Sequence, residues 1–296
     1  MDAPPDHTLL SRITVYGRMI KFSHTVFALP FALSALVLSA REHGVSAAQI
    51  LWILVAMVGA RSAAMGFNRI VDTVYDARNP RTAHREIPAG RLSARAAAAF
   101  VVLSSGIFVL AAARLGRLPF LLSGPVLGVL FLYSYTKRFT WLAHVYLGFA
   151  ISLAPLATWI AVTGQFSGRI LWLTLALMTY IAGFDILYAC QDVDFDRSQG
   201  LFSIPARFGV PRALRAARGI HVLSYGAFLM VYFAFDMTGG YLLAAGLIGL
   251  LLVFEHWLTD PEDLSHVHIA FFHVNSVISV TLLLGVLADE LVRRMG

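Results

Sequence analysis

Long apolar runs recur along almost the whole chain and leave little sequence for anything but a bundle of membrane-spanning helices. A helix needs roughly 20 apolar residues to cross about 30 Å of hydrocarbon. Nine stretches approach that length, at 20–40, 48–68, 96–114, 118–136, 140–163, 169–190, 214–235, 239–257 and 267–288. Charged residues are only 14% of the 296 positions, whereas soluble domains carry about 25%. An ordinary water-soluble enzyme is thereby excluded. The expected fold is all-α, a polytopic bundle of nine transmembrane helices in one membrane domain over 1–296, with no separate soluble domain. The third and fourth runs are joined so tightly around Arg114, Gly116 and Arg117 that a hairpin is expected. The segment through Tyr16 lacks an apolar core followed by a cleavage site, so no signal peptide is expected. A single cysteine, Cys190, allows no internal disulfide and reads as a small core residue.

The net charge of +6 raises the question of nucleic acid, but the cations sit in short clusters between the apolar runs. Such clusters are loops at a bilayer surface, and no nucleic-acid partner is expected. With nine spans, the N-terminus and the even-to-odd loops share one side, which collects 16 Lys and Arg against six on the other, with Arg61 left inside the second run. That asymmetry puts the N-terminus and those loops in the cytoplasm and the C-terminus outside.

Acidic groups near hydrocarbon are costly and default to functional candidates. They gather in two places on the cation-rich side. In GFNRIVDTVYDARNPRTAHREIPAG, Asn68, Asp72 and Asp76 continue the second run; a spacing of four keeps all three along one helical face. In FDILYACQDVDFDRSQG, Asp185, Tyr188, Asp192 and Asp196 share a face at the end of the sixth run, while Asp194 falls roughly opposite as a solvated residue. Stacked like charges repel, more so as water is removed, so something positive belongs between them. Carboxylate and amide oxygens suit a hard ion, and magnesium binds through a few carboxylates plus substrate phosphates. The blander reading, acids that solvate the interface or pair with Arg69, Arg78 and Arg197, does not account for two separate helices repeating D-x-x-x-D at one membrane level. Arg81, Arg85 and Lys137 supply the opposite sign in neighbouring loops. At an effective dielectric near 20, an opposite charge at 4 Å contributes on the order of 4 kcal/mol. The pattern fits a magnesium diphosphate site.

These residues resemble the UbiA superfamily of intramembrane aromatic prenyltransferases, and its 4-hydroxybenzoate polyprenyltransferase-like branch in particular. The resemblance covers almost the whole chain. It rests on the K-F-S-H-T-V-F-A-L-P entry to the first run, N-x-x-x-D-x-x-x-D at Asn68, Asp72 and Asp76, and the N-P-R-T-A-x-R-x-I-P-x-G run. It also rests on Y-x-x-x-K at Tyr133 and Lys137, followed by Arg138, and D-x-x-Y-A-x-x-D-x-x-x-D at Asp185, Tyr188, Asp192 and Asp196. Arg69 departs from the pattern, since many relatives carry Asp there. The resemblance implies a central cavity under a cytoplasmic cap of the two Asp-rich loops and a location in the bacterial inner membrane. Asp72, Asp76, Asp192 and Asp196, with Asn68, would hold Mg²⁺; Arg81, Arg85 and Lys137 would contact the diphosphate. The implied reaction moves a polyprenyl group from polyprenyl diphosphate to 4-hydroxybenzoate, ortho to its hydroxyl, in respiratory quinone biosynthesis, with no obligate protein partner. Asp185 and Tyr188 join the expected catalytic set, and Tyr133 and Tyr188 could face the carbocation.

Lys21 and His24, at the mouth of the first run, could touch acceptor or diphosphate, with interfacial anchoring the alternative. Asn275 is expected to bond another helix, and Pro30 and Pro155 to bend theirs. One rival is the same transfer to a dihydroxynaphthoate-type acid in futalosine-route menaquinone biosynthesis. A cation-coupled transporter is a more distant one, disfavoured because the acids lie at helix ends and not at the midplane. A phosphatidyl-type transferase lacks its usual D-G-x-x-A-R pattern here.

Overall fold

The computed structural model describes residues 9–20, 22–260, 264 and 270–295, all helical or irregular, with no strand among them. In chain order the helices are α1 (Leu9–Met19), α2 (Leu29–Ser39), α3 (Ala47–Val71), α4 (Thr73–Arg78), α5 (Ala94–Leu115), α6 (Arg117–Thr136), α7 (Ala143–Thr163) and α8 (Ile170–Ala189). They continue with α9 (Val193–Ser198), α10 (Ile204–Phe208), α11 (Val210–Ala234), α12 (Gly239–Trp257) and α13 (Asn275–Met295).

Among the described residues, seven helices are long and apolar enough to cross a bilayer, against nine expected. The shortfall has two physical causes. The first run is broken into a 3₁₀ turn at Phe22–Phe27 and the short α2, with Pro30 fitting the first turn of α2 without bending it. The run at 214–235 lies in α11, which is 25 residues long but carries Arg212, Arg215 and Arg218 in its first half. The last run begins with a π turn at Ala270–Val274 and continues to Met295. The membrane-spanning helices make this an integral membrane protein.

Local signals set the boundaries. Ser46 and Gln49 close a capping box at the start of α3, and Ser93 accepts from Ala96 N at the start of α5. Gly116 forms the α5–α6 hairpin with φ 139°, a conformation L side chains rarely adopt.

Two halves pack differently. Helices α2, α7, α8, α11, α12 and α13 share a dense core in which Phe31, Tyr180, Phe228, Phe235 and Tyr241 are buried. Helices α7 and α8 touch backbone to backbone at Gly148, where an added Cβ would stand 2.1 Å from the Met178 carbonyl oxygen. Polar groups stitch the same half. Asn275 Nδ2 donates to Glu255 Oε1 at 3.0 Å, bonding α13 to α12 as expected, and Arg41 bonds Asp289 at 2.5 Å and Glu290 at 3.0 Å at the opposite end from the acidic motifs. Helices α3, α5 and α6 pack beside this half, and between them and α7 lies a cavity of about 410 Å³. Its wall is mostly apolar, with Met57, Met65, Val126, Leu130 and Leu153 among its residues, and it reaches Asn68 and Tyr133 at the end where the acidic motifs lie.

Candidate active site at the acidic end of the bundle

The sequence pattern has Asp72 and Asp76 continuing the second span, and Asp192 and Asp196 continuing the sixth. In the structure both helices break first. Asp72 ends α3 and precedes the six-residue α4, with φ −91° and ψ 5°; Asp192 follows α8 through a 3₁₀ turn at Cys190–Asp192 and precedes the six-residue α9, with φ −106° and ψ 9°. Both junctions occupy the sparsely allowed bridge region where many active-site residues sit. The second acid of each pair, Asp76 or Asp196, then lies one turn into the short helix. Two hinge-and-helix units of one design thus turn inward over the cavity mouth.

Each acid meets one cation. Arg85 Nη1 donates to Asp76 Oδ1 at 2.6 Å, Lys137 Nζ to Asp196 Oδ2 at 3.1 Å, and Arg138 Nη2 to Asp72 Oδ1 at 3.3 Å. Arg81 grips Asp192 with two nitrogens, Nε reaching Oδ1 at 2.9 Å and Nη2 bonding Oδ2, the strong bidentate form of the pair. Its third nitrogen donates to the Tyr188 hydroxyl at 2.6 Å, and its guanidinium lies 4.9 Å over the Tyr188 ring. Asn79 Nδ2 also donates to Asp192 Oδ1, at 3.3 Å. The loop after the first motif therefore clasps the second motif. Asn79 shapes that loop too, its Oδ1 accepting from Arg81 N at 2.9 Å, while Thr82 Oγ1 donates to the Asp76 carbonyl at 3.1 Å. Arg78 and Gln199 join the two short-helix segments at 3.0 Å.

The electrostatics differ between the acids. Burial and the neighbouring Asp76 carboxylate lift the Asp72 carboxyl above its ordinary range, although Arg138 and Asn68, whose Nδ2 donates to Asp72 Oδ2 at 2.7 Å, oppose the shift. Asp76 Oδ2 is buried with no hydrogen-bond partner among the described residues, an expensive arrangement for a carboxylate oxygen unless something positive joins it. Among the described residues no three His, Cys, Asp or Glu side chains converge as a ready metal cage. Magnesium does not need one, since it binds through one or two carboxylates, waters and phosphates. The all-oxygen donor set and the orphaned Asp76 oxygen fit that ion.

The UbiA prenyltransferase family model matches residues 28–277. The chain belongs to this family. It is a UbiA-family prenyltransferase, similar to a 4-hydroxybenzoate octaprenyltransferase of Pseudomonas fluorescens (strain Pf0-1), 28% identical over 253 residues that cover 84% of this chain and 83% of that protein. The counterpart in Pseudomonas putida (strain GB-1) is 30% identical over 249 residues, 82% and 81% of the two chains. Among solved structures, the apo structure of a UbiA homolog from Aeropyrum pernix K1 superimposes with a TM-score of 0.82 at 31% identity, over 90% of this chain and 98% of that one. A UbiA homolog from Archaeoglobus fulgidus bound to GPP and Mg²⁺ shares the fold, with a TM-score of 0.74 at 18% identity over 93% and 99%.

Within this UbiA fold, the structure brings together Asn68, Asp72, Asp76, Arg81, Arg85, Lys137, Tyr188, Asp192 and Asp196. Tyr133 lines the cavity below them. Asp185 stands apart from the four ion pairs and bonds His144 instead. Asp194 is exposed, and Arg69, the departure from the family pattern, turns away to donate to the Met19 carbonyl at 3.1 Å. Lys21 lies outside the described residues, and so does the His24 side chain. Sequence reasoning missed Arg138, Asn79, His144 and Arg61 as site residues. Arg61 lines the cavity seven residues before Asn68 and donates to the Ile20 carbonyl at 3.5 Å; its signal was a lone cation inside a span.

Proposed function

We propose that this prenyltransferase moves a polyprenyl group from a polyprenyl diphosphate to the ring carbon ortho to the hydroxyl of 4-hydroxybenzoate, in respiratory quinone biosynthesis. One observation carries the reading: Arg81 and Asn79 of the first motif's loop hold Asp192 of the second, so both acidic units meet over one apolar cavity. The curated relatives named above support the acceptor, and the GPP and Mg²⁺ of the Archaeoglobus fulgidus homolog support a magnesium diphosphate donor. One domain over 1–296 does this work, with the acidic end in the cytoplasm and no obligate partner protein.

Asp72, Asp76, Asp192 and Asp196, assisted by Asn68, are the residues that would hold magnesium. The ion supplies Lewis-acid stabilisation of the charge growing on the departing diphosphate. Without substrate, each carboxylate is neutralised by its own cation. Diphosphate would draw Arg81, Arg85 and Lys137 from carboxylate to phosphate, and the carboxylates they leave are those that would hold the ion. The cationic side chains then stabilise the leaving group as the allylic C1–O bond breaks. The Tyr188 and Tyr133 rings face the resulting carbocation, the isoprenoid tail occupies the apolar cavity, and burial keeps out the water that would quench the cation. Arg61, on the same wall of α3 as Asn68, receives the acceptor's carboxylate.

The test is a side-by-side assay of the purified protein in lipid nanodiscs, with magnesium and geranyl diphosphate, offering 4-hydroxybenzoate or a dihydroxynaphthoate acid. Diphosphate release that requires magnesium and 4-hydroxybenzoate together is the expected result. Transfer to the naphthoate acid alone reassigns the acceptor. Release that needs no aromatic acid contradicts the proposal.

A further inference from the structure

From Tyr180 to Leu187, every residue of α8 is buried except Asp185, whose side chain keeps 18% of its surface open. Asp185 stands one helical turn before Tyr188 on α8, and the Tyr188 hydroxyl accepts from Arg81 of the first motif's loop at 2.6 Å. The carboxylate thus lies on the face of α8 that carries Tyr188 and leads to Asp192. On its other side, His144 of α7 is wholly buried and sets Nδ1 2.7 Å from Asp185 Oδ2. Among the described residues, His144 Nε2 is sealed from solvent with no hydrogen-bond partner. An unsatisfied buried polar atom is destabilising, so helix adhesion alone would be better served by an apolar side chain. What the pair does offer is a carboxylate fixed in direction by the ring nitrogen beside it. None of the cations that neutralise the other four acids bonds Asp185, which leaves it outside the diphosphate machinery.

We infer that Asp185, oriented by His144, takes the proton that the newly prenylated ring must lose. This rests on the aromatic transfer proposed above. Formation of the carbon–carbon bond uses a ring π pair and leaves a positively charged ring with hydrogen and prenyl group on one carbon; the diphosphate has already departed with the C1–O electron pair. The C–H bond then breaks, its electrons restore aromaticity, and the proton bonds to the Asp185 carboxylate, which His144 Nδ1–H holds in place. Asp185 is the catalytic base and His144 a positioning residue.

The experiment compares 4-hydroxybenzoate with the same acid deuterated at both carbons ortho to the hydroxyl, using geranyl diphosphate and magnesium. Wild-type protein that prenylates no aromatic acid defeats the proposed function first and this inference with it. With an active wild type, the isotope effect on kcat is expected near unity, because ionisation of the donor is slower than proton loss. In Asp185→Asn, kcat falls by about 10²-fold and the isotope effect rises well above unity, since proton loss has become limiting. His144→Leu shows the same rise with a smaller loss and an unchanged KM for geranyl diphosphate, while His144→Gln, which keeps a donor for Asp185, returns both towards wild type. An isotope effect that stays near unity in Asp185→Asn overturns the inference whatever the loss of rate. Should His144→Leu fail to fold, Asp185→Asn decides alone, because the amide preserves the shape of the carboxylate.

Discussion

At Asp192, two nitrogens of Arg81 and the amide of Asn79 arrive from a loop more than a hundred positions earlier in the chain. Arg81 is not replaceable by a lysine there, since a point charge can neither form the bidentate pair nor lie flat over Tyr188. Arg81→Lys is expected to raise KM for the prenyl diphosphate about tenfold, a loss of about 1.4 kcal/mol, with the acceptor KM unchanged; initial-rate kinetics varying each substrate in turn checks it. Asp76→Asn or Asp192→Asn is expected to lower kcat by on the order of 10²–10³ in protein with wild-type circular dichroism. Arg61→Leu has the converse signature of Arg81→Lys: KM for 4-hydroxybenzoate rises about tenfold or more as a charge-assisted hydrogen bond is lost, and KM for the diphosphate stays put. Arg81, Arg85 and Lys137 were legible because each follows an acidic or tyrosine motif within a short distance. Arg138, Asn79 and His144 were not, because what gives them a role is a partner on another helix, which no spacing within their own segment reveals.

At the scale of elements, seven spans could be read from apolar length alone, six of them with ends within three residues of the observed helices α3, α5, α6, α7, α8 and α12. Periodicity could not show the breaks at Asp72 and Asp192. A four-residue spacing of acids looks the same whether one helix continues or a second begins, and the backbone decides between them through φ and ψ. Nor could it show how closely α7 and α8 approach. An alanine at Gly148 must displace a backbone carbonyl, an overpacking that costs about 1–3 kcal/mol. Gly148→Ala is therefore expected to lower the Tm in detergent by several degrees, measured by fluorescence-detected thermal unfolding. Because α8 carries Asp185 and leads into Asp192, activity should fall with it. An unchanged Tm would show that the two helices do not pack as closely as the fold requires.

The whole molecule combines a half cored by α8 and bonded by polar contacts with a second group, α3, α5 and α6, that bounds the apolar cavity with α7. The acidic hinges stand over the boundary between them. Four carboxylates are matched by four cations at this mouth, and in the proposed reaction magnesium and diphosphate would bind among them. Chelating divalent ions with EDTA is accordingly expected to abolish prenyl transfer while leaving the helical circular dichroism intact, and added magnesium to restore it. The measurement that reaches furthest is pulsed electron–nuclear double resonance on protein loaded with Mn²⁺ in place of magnesium and with geranyl diphosphate. Manganese with strong phosphorus-31 coupling, lost in Asp72→Asn and equally in Asp192→Asn, is the predicted result. Coupling that survives either substitution undiminished would mean that the two motifs do not share one metal-bound diphosphate.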